Sequence, residues 1–283
     1  MAQYQLSAFA DEADRMLSAQ LEAMKNNGIA LIEMRGVDGK SVADLTDDEA
    51  KEAKRKLDDA GAALSSLGSP YGKYPIDQPF EAHLDAFRRG LEITRLLGAN
   101  RIRMFSFFMP REGGTTPADW RGKVIDQLGQ MLDLADDAGI RLCHENEKGI
   151  YGDVPERCRE IHWAIPEIRA VFDPANYVQC GVDTVHAWEL LGQYVEYLHI
   201  KDALPGGRVV PAGQGVGNVT RILREFGSGM LTLEPHLSVF KGLEALEKDG
   251  GALSVDPYRY ATAGEAFDSA ANALKALINE TEE

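Results

Sequence analysis

The sequence predicts a single (β/α)8 barrel, and three observations carry the prediction. Its 283 residues suit a fold that typically needs about 250. Short apolar segments alternate with longer amphipathic ones, and several of the latter end in glycine: MKNNG at Gly28, LDDAG at Gly61, RLLG at Gly98 and DDAG at Gly139. Glycine just past a helix takes the left-handed conformation without a Cβ penalty, so each marks a helix end, with a strand starting a residue or two later. Finally, four successive apolar segments carry a metal-type side chain at or near their ends. IRLCHE ends in Glu145, IRAVFD in Asp173 and MLTLE in Glu234, and YLHI contains His199. They follow one another at intervals of about 30 residues, one strand–helix unit. Such residues converge only if the sheet closes, at the barrel end where these folds keep their chemistry.

In chain order the pattern gives strands near 4–9, 29–35, 62–67, 101–107, 140–145, 168–173, 195–200 and 229–234. Helices fall near 13–27, 46–60, 80–97, 117–138, 155–164, 184–193, 218–226 and 264–279. The second helix opens on a capping box, Thr46-Asp47-Asp48-Glu49, and the fourth on Thr116-Pro117, an N-cap before a first-turn proline. The strands alternate as barrel strands must, one face to the lumen and one to the helices. Glu33 and Arg35 oppose Ile32 and Met34. Arg101 and Arg103 oppose Ile102 and Met104. His199 and Lys201 oppose Leu198 and Ile200, and Thr232 and Glu234 oppose Leu231 and Leu233. The same count turns His144 toward the helices, a structural role. One domain over 1–283 is expected, with long loops near 202–217 (DALPGGRVVPAGQGVG) and 236–263, the latter containing Phe240, Tyr258 and Tyr260. Loops of that length are usually functional or disordered, so lid or subunit-contact roles follow, and a homodimer or tetramer is compatible with them.

Composition narrows the classes. Hydrophobic residues make up 44% of the chain, enough for a large core, and the net charge of −15 opposes a polyanion such as DNA. Three cysteines, Cys143, Cys158 and Cys180, form no C-x-x-C pair, which argues against a disulfide framework and a structural zinc site and for a reducing cytoplasm. MAQYQLSAFADEAD lacks the basic start and apolar core of a signal peptide, and no apolar run approaches the roughly 18 residues of a membrane span. No G-x-S-x-G and no cysteine with an evident histidine partner supports nucleophilic hydrolysis. GQGVG at 213–217 looks like a glycine-rich anion loop but lacks the P-loop Lys-Ser/Thr and the dinucleotide-fold context, so loop flexibility is the expected reading.

Glu145, Asp173, His199 and Glu234 form an oxygen-rich set with one imidazole, which suits Mn²⁺, Mg²⁺ or Co²⁺ better than a thiolate zinc site. Mn²⁺ is the expected ion, with Zn²⁺ a further alternative. A divalent ion at a barrel mouth can polarise a carbonyl beside a hydroxyl and stabilise an enediolate. Glu145 and Glu234, on strands three positions apart, would then be the acid/base pair, one taking a proton and the other returning it to the opposite face. Glu33, Arg35, Lys73, Arg103, Lys201 and His236 lie at or just beyond strand ends as candidates for substrate binding. Their competing reading is internal charge pairing, Glu33 with Arg103 for example. Glu147, two residues past Glu145, would bind substrate or hold Lys148.

At these residues the chain resembles the xylose isomerase-like barrel superfamily over nearly its full length, particularly the sugar phosphate isomerase/epimerase group. HEN at 144–146 and FDPAN at 172–176 look like its fifth- and sixth-strand segments. LHIKDA at 198–203 matches its H-x-K-D seventh strand, and LEPH at 233–236 looks like its eighth. EMRG at 33–36 and GSPYGK at 68–73 are similar to pieces of uncharacterised members. The resemblance implies Glu145, Asp173, His199 and Glu234 as ligands, the two glutamates as bases, a Mn²⁺, Mg²⁺ or Co²⁺ ion, and epimerisation or isomerisation of a sugar or sugar phosphate. The same superfamily contains endonuclease IV-type enzymes, which use extra histidines. Here Asn176 stands where they would place one, and the whole chain has six histidines. A metal-dependent lyase acting on a keto-sugar or keto-inositol shares the early proton abstraction and is the alternative. A barrel that only binds sugar is the non-enzymatic one.

Overall fold

The computed structural model describes residues 4–110, 112–238 and 260–282. Eight parallel strands close into a barrel: β1 (Tyr4–Ala8), β2 (Leu31–Met34), β5 (Ala63–Gly68), β6 (Arg101–Met104), β7 (Arg141–Glu145), β8 (Arg169–Phe172), β9 (Val195–Ile200) and β12 (Gly229–Leu233). β1 sits between β12 and β2, pairing Ala8 with Leu233 on one side and Ile32 on the other. Two short ribbons, β3 (Gly36–Val37) with β4 (Lys40–Ser41) and β10 (Asp202–Ala203) with β11 (Val209–Val210), decorate the ends of β2 and β9. The helices are α1 (Leu17–Asn26), α2 (Asp47–Asp59), α3 (Glu81–Leu96), α4 (Pro117–Asp137), α5 (Pro155–Ala164), α6 (Pro174–Gln179), α7 (Thr184–Leu191), α8 (Val219–Phe226) and, after residues outside the description, α9 (Ala263–Glu282).

The eight strands and eight main helices expected from the pattern are present, and local chemistry explains their limits. Gly28, Gly61, Gly98 and Gly139 all have φ between 64° and 80°, as helix-terminating glycines should. Thr46 and Glu49 form the capping box of α2. At the start of α4 the Thr116 N–H donates to Asp119 at 2.7 Å.

Three expectations are corrected. The first helix begins at Leu17, not near 13, because Ala10–Glu12 form a separate 3-10 turn. β6 stops at Met104, not 107: the Phe105 and Phe107 amides leave the ladder and donate to the Tyr71 and Gly72 carbonyls at 2.8 Å, and Phe107 turns to φ 69°. The 202–217 loop is a folded ribbon, and its glycine stretch is tied down rather than loose. Most of the 236–263 insertion, with Phe240 and Tyr258, lies outside the described residues, and Tyr260 packs against the core.

Apolar burial is divided in two. The larger core lies between the outer faces of the strands and the helices. A separate small cluster, Cys143, Val171, Tyr197 and Met230, fills the lumen. Two residues further along those same strands stand Glu145, Asp173, His199 and Thr232. Strand alternation thus puts an apolar plug directly beneath a polar layer.

Candidate metal centre at the ligand end of the barrel

The polar layer is the candidate site. Glu145, Asp173, His199 and Glu234 each bring one ligand-type atom to within 4.8 Å of the others, and all four are buried. β7, β8, β9 and β12 are consecutive around the barrel, so Glu145 and Glu234 flank the pair between them. His199 is 0% exposed and packed edge-on against Phe9 and Tyr197. Its Nδ1 lies 2.9 Å from Glu145 Oε1 and 3.4 Å from Glu234 Oε2, while Nε2 lies 3.0 Å from Glu33 Oε2. One ring nitrogen therefore faces the carboxylate cluster and the other is held from behind by a carboxylate, the support that metal-ligating histidines commonly have.

The other sequence candidates surround this set. Glu33 is fully buried, bonded to His199 and to the Tyr197 hydroxyl at 2.9 Å, and thus lies beneath the site. Arg103 is 3.1 Å from Glu145 Oε2 and 3.6 Å from Glu33, so the expected Glu33–Arg103 pair is the longer of its two contacts. Lys201 bridges Asp173 Oδ2 at 2.6 Å and Glu234 Oε2 at 2.8 Å. Arg35 reaches Asp11, Glu12 and Glu234 at 3.0, 3.1 and 3.5 Å. At the rim Lys73 pairs with Glu147 at 2.8 Å, so Glu147 holds Lys73 rather than the Lys148 ammonium. His236, at φ 45°, sets its Nε2 3.3 Å from Glu234 Oε1 and 3.4 Å from Glu12 Oε1. His144 turns outward, as expected, and meets the Ser106 hydroxyl at 2.9 Å.

Charge is crowded here. Burial works against every ionised carboxyl. For Glu145, His199 and Arg103 outweigh burial and bring its pKa to about 2. Glu234 is likewise carried below its ordinary range, chiefly by Lys201 and His236 against burial. Asp173 goes the other way: burial, with Glu234 and Glu145 nearby, pushes it up to about 7 despite Lys201. Burial opposes charge on His199 and Lys201 too, but their carboxylate neighbours raise both. Asp173 Oδ2 makes no hydrogen bond of ordinary geometry although the Lys201 ammonium is close. A buried set of carboxylates around one imidazole, with an oxygen left in that condition, fits a hard divalent cation.

Several site residues carried no flag in the sequence. Glu12, in the turn after β1, is 2% exposed and, with Glu234 and His236, forms a second set of ligand-type side chains. Its position just past a strand end was the available signal. Asn146 and Asn176 are braces: Asn146 exchanges hydrogen bonds with the Asp173 backbone at 2.9 Å, and Asn176 donates to Glu145 Oε1 at 3.3 Å and to the Asn146 carbonyl at 2.9 Å. Asp173 also caps α6, accepting from the Asn176 N–H at 3.0 Å. Asp-Pro at the start of a short helix is an N-cap followed by a first-turn proline, so FDPAN encodes α6 as well as a member of the carboxylate cluster.

Comparisons with known proteins agree with this architecture. No curated protein sequence matches the chain. A solved D-psicose 3-epimerase from Clostridium cellulolyticum H10, bound to D-tagatose, is 13% identical, with a TM-score of 0.72 over 97% of this chain and 98% of its own. The IOLI protein with a zinc atom is 17% identical, with a TM-score of 0.74 over 98% and 99%. A protein from Mycobacterium smegmatis in complex with magnesium is also 17% identical, with a TM-score of 0.67 over 99% and 98%. At such identities these likenesses speak to the fold. The family model described as xylose isomerase-like TIM barrel matches residues 21–252, most of the chain, and with the closed eight-stranded barrel this makes the protein a member of the xylose isomerase-like TIM barrel family.

Proposed function

We propose that the protein is a divalent-metal-dependent sugar isomerase or epimerase. The observation that carries the reading is the convergence of Glu145, Asp173, His199 and Glu234 within 4.8 Å, buried, at the end of the barrel. The four side chains would hold one ion, Mn²⁺ being the proposed occupant. Bound there, such an ion would supply a Lewis acid for a substrate carbonyl and so raise the acidity of the neighbouring C–H. Glu145 and Glu234 then divide the proton work from opposite sides of the cluster. Glu145 is kept ionised by His199 and Arg103 against burial, which leaves it free to accept a proton but makes it a weaker base than an ordinary carboxylate. Glu33 fixes the His199 ring from behind, and in this reading Lys201, Lys73 and His236 would hold hydroxyl oxygens. The likeness in fold to D-psicose 3-epimerase supports the substrate class.

One observation weighs against an endonuclease-type use of the barrel. The Asn176 amide, where extra metal ligation would be needed, is spent bracing Glu145 and Asn146.

Metal analysis of the purified protein beside Glu145→Gln, His199→Ala and Glu234→Gln tests the reading. About one divalent ion per chain is expected, lost in the histidine variant and weakened in the others, with turnover of a sugar panel at conserved mass. Product lighter by one water would instead make the protein a lyase. Sugar binding with normal affinity in Glu145→Gln, and no turnover of any substrate by the parent protein, would leave only a binding barrel.

A further inference from the structure

The charge arrangement at the mouth bears on which sugars can enter, granted the reading above. Among the described residues, Arg35, Lys73, Arg103 and Lys201 are its buried and half-buried cations, and each already faces carboxylates. The nearest contacts are Asp11 at 3.0 Å, Glu147 at 2.8 Å, Glu145 at 3.1 Å and Asp173 at 2.6 Å respectively. Glu33 and Glu234 add further negative charge around them. A phosphate needs cations or amides not already engaged.

Barrels of this kind frequently hold phosphate on amides in the loops after the seventh and eighth strands. In this chain the glycine-rich stretch after β9 offers such amides, and a side chain takes them. Gly213 and Gly215 donate to Asp202 Oδ2 at 3.1 and 3.0 Å, and Gly217 and Ala203 donate to Oδ1 at 2.8 Å. Asp202 is 1% exposed. A Cβ on Gly215 would stand 2.3 Å from Asp202 Oδ1, and one on Gly217 would stand 2.6 Å from it and 3.2 Å from Pro174, the neighbour of Asp173. Gly215 and Gly217 leave room for this carboxylate, and Gly215 for the Ala203 carbonyl as well. The anion nest beside the site is filled from within the chain.

From the paired cations and the filled nest we infer that the substrate is an uncharged polyhydroxy carbonyl compound, a free ketose or cyclic keto-polyol, and that its phosphate esters are excluded. A phosphate dianion would meet the mouth's carboxylates, and like-charge juxtaposition costs several kcal/mol. Hydroxyls, by contrast, suit ion pairs such as Lys73–Glu147, which present a donor and an acceptor side by side.

The test offers the Mn²⁺-loaded protein a series of free ketoses, each beside its 1- and 6-phosphate esters, and separately titrates the protein with inorganic phosphate. The free sugar should be favoured in kcat/KM by at least about 100-fold, and inorganic phosphate should neither compete with it nor raise the melting temperature. Preference for an ester, or saturable phosphate binding that competes with sugar, overturns the inference. If no sugar of either kind turns over, the proposed reaction fails, and the phosphate titration alone decides the charge preference. Asp202→Ala gives an independent arm, with Asp202→Asn as the milder variant: with the amides released, inorganic phosphate or formate should stabilise the variant but not the parent protein. Indifference of the variants to both anions would remove the nest from the argument.

Discussion

Glu234 shows how a single side chain is shared between two environments. Its Oε2 faces Lys201 and His199, at 2.8 and 3.4 Å, while Oε1 faces His236 and Arg35, at 3.3 and 3.5 Å. Glu12 anchors the second environment: it accepts the His236 N–H and pairs with Arg35. Burial pushes the Glu12 carboxyl up to about 8 despite Arg35, so its removal leaves buried donors without their acceptor, worth about 1–3 kcal/mol, and loss of an outer support commonly weakens metal binding about 10- to 100-fold. Glu12→Ala should therefore lower unfolding free energy by about 1–3 kcal/mol and affinity for the proposed divalent ion by about tenfold, with Glu12→Gln intermediate. Urea denaturation and metal titration check both. A second residue-scale expectation concerns pH. Burial lowers the His162 imidazole to about 4 and His144 to about 3. Their unfolded pKa is near 6.5, so between the two values the unfolded chain takes up protons that the folded chain refuses. The contribution is complete above about pH 6.5 and is lost as pH falls, by up to about 1.4 kcal/mol per unit for each histidine. His162→Asn, which keeps a donor toward the Ile168 carbonyl, should flatten the urea-midpoint profile between pH 6.5 and 4.5. An unchanged slope would remove His162 as a cause. At this scale the convergence of Glu145, Asp173, His199 and Glu234 was legible because strand ends and side-chain type sufficed. Glu12 was not, since its neighbours His236 and Arg35 come from strands distant in sequence.

Among the elements, two helical glycines look alike in sequence and differ in packing. A Cβ on Gly90, inside α3, would lie 2.3 Å from the buried Tyr71 ring, whereas one on Gly129, inside α4, meets nothing within 4 Å. Gly129→Ala should stabilise by about 0.5–1 kcal/mol. Gly90→Ala should destabilise by about 1–3 kcal/mol, because the clash outweighs helix propensity. Thermal melts that rank the two variants the other way would contradict this packing. Element limits were legible wherever a cap, a proline or a glycine marked them, as at Thr46, Thr116 and Gly139. They were misplaced where long-range hydrogen bonds decided. Residues 105–107 have strand-like apolar character, yet their amides bond to Tyr71 and Gly72 instead of the ladder. The GQGVG stretch was opaque for a similar reason: only the fold brings Asp202 against its amides.

For the whole molecule, closure depends on β1, which precedes the stretch that the family model matches. Residues 21–252 lack β1, the turn with Glu12, and α9. Without β1, the facing edges of β12 and β2 would both be unpaired. A protein cut to 21–252 should lose the cooperative melt and the metal site together, and a sharp two-state melt would contradict that. The number of strand–helix units and the end of the barrel that carries the site were legible because the pattern repeats. Which further side chains back that cluster was set by lumen geometry, which no local pattern carries.

The seating of β1 between β12 and β2 also makes the order of the chain secondary to its arrangement. Every barrel strand runs toward the site and every helix returns, so α9, packed on α1, α8 and β12, comes back toward the rim where β1 starts. A circular permutant with a short flexible link from α9 to β1, and new ends in the exposed turn around Gly113 and Gly114, should fold to the same barrel and bind the same ion. Circular dichroism and metal content would show whether the ring can be entered at a different point.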